Sequence, residues 1–210
     1  MIPYYEHAGI TIYHGDWRDF KLPARWGGLL TDPPYGLNEA AGKNKSRTKL
    51  AVSKDYGNDT WDADPVSSED ISRVRQWADH HIIFGGNYFY LPPTKCWLVW
   101  DKVNGESDFA DCELAWTNLP KAVRMYRYMW AGMLKEKPEF RTHPTQKPLS
   151  LMLWCLSHFP ESVRDVVDPY MGSGTTLVAA KQLGLRCTGF EREERYCEVA
   201  AERLRQEVLF

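Results

Sequence analysis

An aspartate, two prolines and a tyrosine in succession, Asp32-Pro33-Pro34-Tyr35, set a carboxylate, a proline carbonyl and an aromatic face on one stiff turn. The preceding Leu29-Leu30-Thr31 is apolar enough to end a buried strand. The prolines fix their own φ and push the residues before them towards extended geometry. Such a turn suits a planar base amine. The exocyclic amine of adenine or cytosine is a poor nucleophile, because its lone pair is delocalised into the ring. Two acceptors aimed at its hydrogens, the Asp32 carboxylate and the Pro33 carbonyl, would hold the nitrogen towards an electrophile and stabilise the positive charge it gains. Tyr35 could stack on the ring. The same composition also makes an ordinary surface turn after a strand, so a second signal is needed.

Residues 163–191 supply one, reading as strand, glycine turn, helix and strand. Val163, Val166 and Val167 form a β-branched run that Asp168 ends, and Gly172-Ser173-Gly174 lets the backbone turn tightly and approach a ligand. A helix begins near Thr175, with Leu177, Ala180 and Leu183 on one face and Gly184 to stop it, and Glu191 closes the next strand. A phosphate loop needs Lys and then Ser or Thr after its last glycine, whereas Thr175 and Thr176 follow Gly174. A dinucleotide fingerprint needs Gly or Ala three positions beyond the second glycine, where this chain has Leu177. An acid at the end of the second strand still fits a ribose diol, so the ligand reads as a nucleoside without phosphates.

Together these segments resemble the S-adenosylmethionine-dependent DNA amino-methyltransferases, in the beta-type arrangement where the catalytic motif precedes the cofactor motif. The resemblance covers nearly the whole chain. It implies one Rossmann-like α/β domain over 1–210 with permuted motif order, a mixed, mostly parallel sheet and helices on both faces. It assigns catalysis to Asp32, Pro33, Pro34 and Tyr35. His14-Gly15-Asp16 matches an acidic motif, so Asp16 would face the cofactor adenine. In His143-Pro144-Thr145-Gln146-Lys147-Pro148, Thr145 and Lys147 would meet the methionine carboxylate. Asp168 and the backbone through Tyr170, Met171, Gly172, Ser173 and Gly174, with Thr175 beside it, would bind the methionine part, and Glu191 the ribose hydroxyls.

The same resemblance implies base flipping and direct displacement, with double-stranded DNA as substrate. Adenine N6 is the expected target, since family members with Asp at the first motif position are mostly adenine-specific, while cytosine N4 enzymes more often carry Ser. Cytosine N4 methylation and a non-catalytic DNA-binding module of the same fold are the alternatives. A ring-carbon methyltransferase would need a nucleophilic cysteine, typically after a proline, and the chain has no Pro-Cys pair.

With 210 residues the chain has room for one α/β domain and little for a separate recognition domain. A net charge of -2 argues against a histone-like binder, so DNA affinity must come from local patches. Residues 38–60 carry Lys43, Lys45, Arg47, Lys49 and Lys54 against Glu39, Asp55 and Asp59, and read as a mobile basic loop that touches phosphates. Between Lys121 and Lys147, seven basic residues face two acidic ones among interleaved aromatics. A DNA-recognition insertion is therefore expected over 118–142, with Arg124, Arg127, Lys135 and nearby Arg141 as contacts.

Five scattered cysteines without a Cys-x-x-Cys pair suit a reducing cytoplasm with neither metal nor disulfides, and the resemblance implies a bacterial or phage-encoded protein. No apolar run of membrane length occurs. A homodimer and a cognate restriction nuclease are both compatible with the chain. Further strands are expected over 10–13, 28–31, 81–84, 96–102 and 112–117, and helices after Ser67, after Pro148 and over 193–206. Gly85-Gly86-Asn87 follows the strand expected over 81–84 and reads either as an ordinary turn or as a place where the chain approaches a ligand closely.

Overall fold

The computed structural model describes residues 2–20, 25–36, 66–104, 110–131, 134–135 and 146–206. In chain order these form β1 (Tyr5–His7), β2 (Ile10–His14), β3 (Trp26–Thr31), α1 (Ser68–Arg75), β4 (Ala78–Phe84), β5 (Trp97–Asp101), β6 (Cys112–Thr117) and β7 (Arg124–Arg127). There follow β8 (Trp130–Ala131), β9 (Leu134–Lys135), α2 (Leu149–Leu156), β10 (Asp165–Asp168), α3 (Thr175–Gln182), β11 (Arg186–Glu191) and α4 (Glu194–Arg205). Among the described residues, nine strands form one sheet in the order β1-β2-β11-β10-β3-β4-β6-β5-β7. The run from β2 to β4 is parallel, whereas β6 pairs antiparallel with both β4 and β5.

Period-two alternation places neighbouring apolar residues on opposite faces. Leu30, Ile82 and Val166 join Leu151 of α2, Leu177 of α3 and Leu204 of α4 in one core. Leu29, Ile83 and Val167 join Ile71 and Val74 of α1 and Trp17 in a second. Each fully buried aliphatic side chain contributes about 1.5–3 kcal/mol, and a one-residue slip of β3 would exchange the whole set between faces. Helices therefore cover both sides of the parallel strands, as backbone buried on two faces requires. Ser67 caps α1 by accepting from the Asp70 N–H at 3.0 Å.

The chain leaves β10 through α3 towards β11 on one side and leaves β3 through α1 towards β4 on the other. The adjacent carboxyl ends of β3 and β10 thus lie where the winding reverses, the usual site of a ligand crevice in an open α/β sheet. Two features depart from the sequence expectation. β1 is an added hairpin strand, closed by Ala8 and Gly9, both at positive φ. The first part of the expected insertion, Arg124–Arg127, is the edge strand of the main sheet, parallel to β5.

Candidate active site

Thr31 ends β3, and the turn that follows turns the Asp32 carboxylate into a row of charges. Asp32 Oδ1 accepts a short hydrogen bond from the Tyr35 hydroxyl, and Oδ2 lies 2.5 Å from Lys147 Nζ. Lys147 also lies 3.1 Å from Glu113 Oε2, without hydrogen-bond geometry, and Glu113 Oε1 is 2.7 Å from Lys102 Nζ. The side chain of Lys147 is only 7% exposed, so it has little water to turn to. Its ammonium also lies 5.2 Å from the Phe84 ring centroid.

Alternating sign is what makes this burial tolerable, since a lone buried ion costs several kcal/mol. Burial pushes the Asp32 carboxyl up from the usual aspartate range; Lys147 opposes the rise and Glu113 adds to it. Burial alone would raise Glu113 too, but Lys147 and Lys102 outweigh it and hold Glu113 at about 2. Burial disfavours the Lys147 cation, yet Asp32 and Glu113 raise it above the ordinary lysine range, so it stays charged. The Tyr35 phenol is pushed well up by burial and by Asp32, and remains a donor.

Beside this row, β10 ends at Asp168, whose Oδ1 accepts from the Thr31 hydroxyl at 2.8 Å and the Tyr170 N–H at 3.1 Å. These bonds tie the two motifs together across adjacent strands. The glycine turn follows, with Gly172 at φ 51° and Gly174 at φ 78°. At Gly174 a Cβ would sit 2.7 Å from the Ala200 side chain, so only glycine lets α3 start this close to α4. Glu191 braces the turn from the end of β11: Oε2 accepts from the Gly172 N–H at 3.1 Å and Oε1 from the Glu193 N–H at 2.8 Å. Asp16 is held by Arg18, whose other partner is Asp70.

Burial raises Asp168 from 3.8 to about 6, against the hydrogen bonds from Thr176, Thr31 and Tyr170. A carboxyl raised in the folded state contributes stability that is full below its unfolded value and is lost as pH rises through about 6. Asp168→Asn keeps the accepting oxygen without the charge. Its stability relative to wild type should therefore grow between pH 4.5 and 8, reaching about 2–3 kcal/mol in urea unfolding of the cofactor-free protein. An advantage that stayed flat across that range would count against a buried, ionising Asp168.

Asp16, Asp32, Lys147, Asp168, Gly172 and Glu191 share a cavity of about 570 Å³, a size suited to a nucleoside-bearing ligand. Its lining carries six carboxylates, Asp16, Asp32, Asp70, Asp168, Glu191 and Glu193, against Arg18, Lys147 and Arg192. Arg18 and Lys147 are already paired with carboxylates. Such a wall repels phosphates and suits a ligand bearing a sulfonium and an ammonium, while Met152, Met171 and Phe190 add apolar surface. The residues present therefore fit S-adenosylmethionine.

Residues 92–202, more than half of the chain, match the sequence profile of the N6/N4 DNA methylase family. The chain belongs to that family. The methylase is similar to the type II methyltransferases M2.LlaDCHI of Lactococcus lactis subsp. cremoris and M2.DpnII of Streptococcus pneumoniae. Each is 26% identical, with alignments covering 96% and 98% of this chain and 91% and 93% of theirs. The solved structure of an M1.HpyAVI-SAM complex is 25% identical with a TM-score of 0.59, covering 94% of this chain and all of that one. The cytosine-N4-specific PvuII DNA methyltransferase, at 15% identity and a TM-score of 0.60 over 99% of this chain and 90% of its own, shares the fold. DNA methylase activity follows from that membership, and the M1.HpyAVI neighbour was solved with S-adenosylmethionine bound.

Asp16, Asp32, Pro34, Lys147, Asp168, Tyr170, Met171, Gly172, Ser173, Thr175 and Glu191 all line the cavity. Pro33 is buried, and neither it nor Tyr35 is part of the lining. The Tyr35 ring instead stacks on Tyr88, with centroids 5.2 Å apart and planes at 19°. It fits there because Gly85, at φ 66°, lacks a Cβ that would fall 2.1 Å from the ring. The close approach expected at the paired glycines is thus made by Tyr35. Lys147, expected at a methionine carboxylate, meets two protein carboxylates. Glu113 and Lys102 were not anticipated as members of the site.

Of the expected DNA contacts, Arg124 is exposed on β7, Arg127 bonds Asp101 at 2.9 Å, and Lys135 sits on β9 opposite Trp130. Lys43, Lys45, Arg47, Thr145 and Arg141 lie outside the described residues, as does the 38–60 loop. Among the described residues, no helix is long and apolar enough to cross a membrane, and no His, Cys, Asp and Glu cluster could hold a metal ion. All five cysteines are free thiols.

Proposed function

We propose that the methylase modifies N6 of adenine in double-stranded DNA, with Asp32 as the residue that receives the amine. The observation that carries this reading is the placement of the Asp32 carboxylate on the wall of the same cavity as Gly172 and Ser173 of the glycine turn, joined to it through the Thr31 to Asp168 bond. What supports adenine over cytosine is the aspartate itself at the first motif position, together with the resemblance described above. Bound S-adenosylmethionine supplies the electrophilic methyl group on its sulfonium.

A carboxylate offers about four lone-pair positions, and the Tyr35 hydroxyl and Lys147 ammonium occupy two of them. Those left can accept an amine hydrogen from the cavity side. Asp32 thereby fixes the plane of the amine and offsets the positive charge growing on its nitrogen; the proton can leave after the new bond has begun to form. An amine inside the base stack cannot be approached in line, so the target nucleotide must be turned out of the duplex. Pro34 and Val66 line the same cavity as Asp32, and the Val66 N–H donates to the Pro34 carbonyl at 3.2 Å, tying the catalytic turn to the start of α1.

The test is a product analysis. Mixed-sequence DNA incubated with labelled cofactor and digested to nucleosides should yield N6-methyladenosine as its deoxy form. Label in N4-methyldeoxycytidine would move the target to cytosine, and no labelled nucleoside would leave a DNA-binding module.

A further inference from the structure

We infer that Lys147 is a positioning residue for the catalytic carboxylate rather than a ligand of the cofactor, and that Glu113, anchored by Lys102, holds it in place. This rests on Asp32 receiving the amine. Lys147 Nζ is 2.5 Å from Asp32 Oδ2 and 3.1 Å from Glu113 Oε2, and Lys102 Nζ closes the row 2.7 Å from Glu113 Oε1. Asp32 lies in the turn after β3, Glu113 on β6, Lys102 just beyond β5 and Lys147 just before α2. Four separate parts of the chain thus converge on one line of alternating charge.

The chemistry asks for such a line. Asp32 has to be ionised to offset the positive charge that grows on the amine, yet it is largely buried, and burial favours the protonated carboxyl. A cation at bonding distance opposes that preference. A lone buried ammonium next to one carboxylate could lose its proton to it; the second carboxylate, Glu113, keeps Lys147 charged, and Lys102 in turn offsets Glu113. The groups around this row are Tyr35 on the catalytic turn, Phe84 on β4, Cys155 on α2 and Asp168 on β10, and none of them supplies another cation.

Activity that needs ionised Asp32 falls as pH drops through its titration, and Lys147 opposes the upward push that burial gives that titration. In Lys147→Met the acid limb of the kcat profile should therefore move up by about one to two pH units. Turnover at pH 7 should fall and partly recover at pH 9, with the calorimetric Kd for S-adenosylmethionine within about threefold of wild type. The double variant Lys147→Met with Glu113→Gln deletes one charge of each sign, and so tests the same point should the single variant fold poorly. Because Glu113 itself opposes Asp32 ionisation, the limb in the double variant should rise by less. Cofactor affinity lost by about 30-fold or more with an unmoved acid limb would make Lys147 a cofactor ligand and overturn the inference. A wild-type protein that methylates no DNA amine overturns the functional reading instead.

Discussion

Asp32→Ala is expected to lower kcat by about 1000-fold while leaving the affinity for S-adenosylmethionine within about threefold of wild type. The separation follows from where the two functions sit. Asp32 belongs to the turn after β3, whereas the glycine bend follows β10 and is braced by Glu191 from β11. Removing the carboxylate leaves the brace untouched, and Lys147 keeps Glu113 as a partner at 3.1 Å. The loss should therefore fall on the step in which the amine becomes positive, and not on cofactor capture. Asp32→Asn should be similarly impaired, because an amide can turn a donor towards the amine and lacks the charge that offsets it. Single-turnover kinetics with saturating cofactor, set beside calorimetry, measure both quantities. Turnover within about tenfold of wild type would remove Asp32 from the chemistry.

The parts of this site that were legible in the sequence are those that local physics controls. A β-branched or leucine run, an acid at its end, and prolines or glycines next set both strand ends and both turns without reference to the rest of the chain. The observed β6, Cys112–Thr117, and the cap at Ser67 follow from equally local patterns. What could not be read depends on pairing between distant segments. Glu113 reaches Lys147 because β6 inserts between β4 and β5, out of chain order, in a register that sets Glu113 opposite Trp100. A charged residue within a strand otherwise apolar from Leu114 to Trp116 was the available signal, although it does not name its partner. Tyr35 is a similar case. The sequence places an aromatic at the turn, but the space it occupies is opened by Gly85, fifty positions later, and its ring is covered by Tyr88. The hairpin at β1 escaped because three residues are too few to display alternation.

Glu191 should show the opposite split from Asp32. Its two oxygens accept from the Gly172 and Glu193 N–H groups, and burial raises its carboxyl, so it stands partly desolvated on the cavity wall. Hydrogen bonds to a charged group are worth about 1.5–3 kcal/mol each, or about 10- to 100-fold in affinity. Glu191→Ala loses the brace on the glycine bend and, on the proposed reading, the acceptor for a ribose hydroxyl as well, so the Kd for S-adenosylmethionine should rise by about 100-fold. Glu191→Gln retains one accepting oxygen and should lie between, at about tenfold. In both variants kcat at saturating cofactor should stay within about threefold of wild type, because neither change reaches the carboxylate at residue 32. Cofactor bound by Glu191→Ala as tightly as by wild type would separate Glu191 from the ribose and leave it as a brace alone. Slowed turnover at full cofactor occupancy would go further, since it would mean that the glycine bend and the catalytic turn are mechanically one unit, joined through the Thr31 to Asp168 bond.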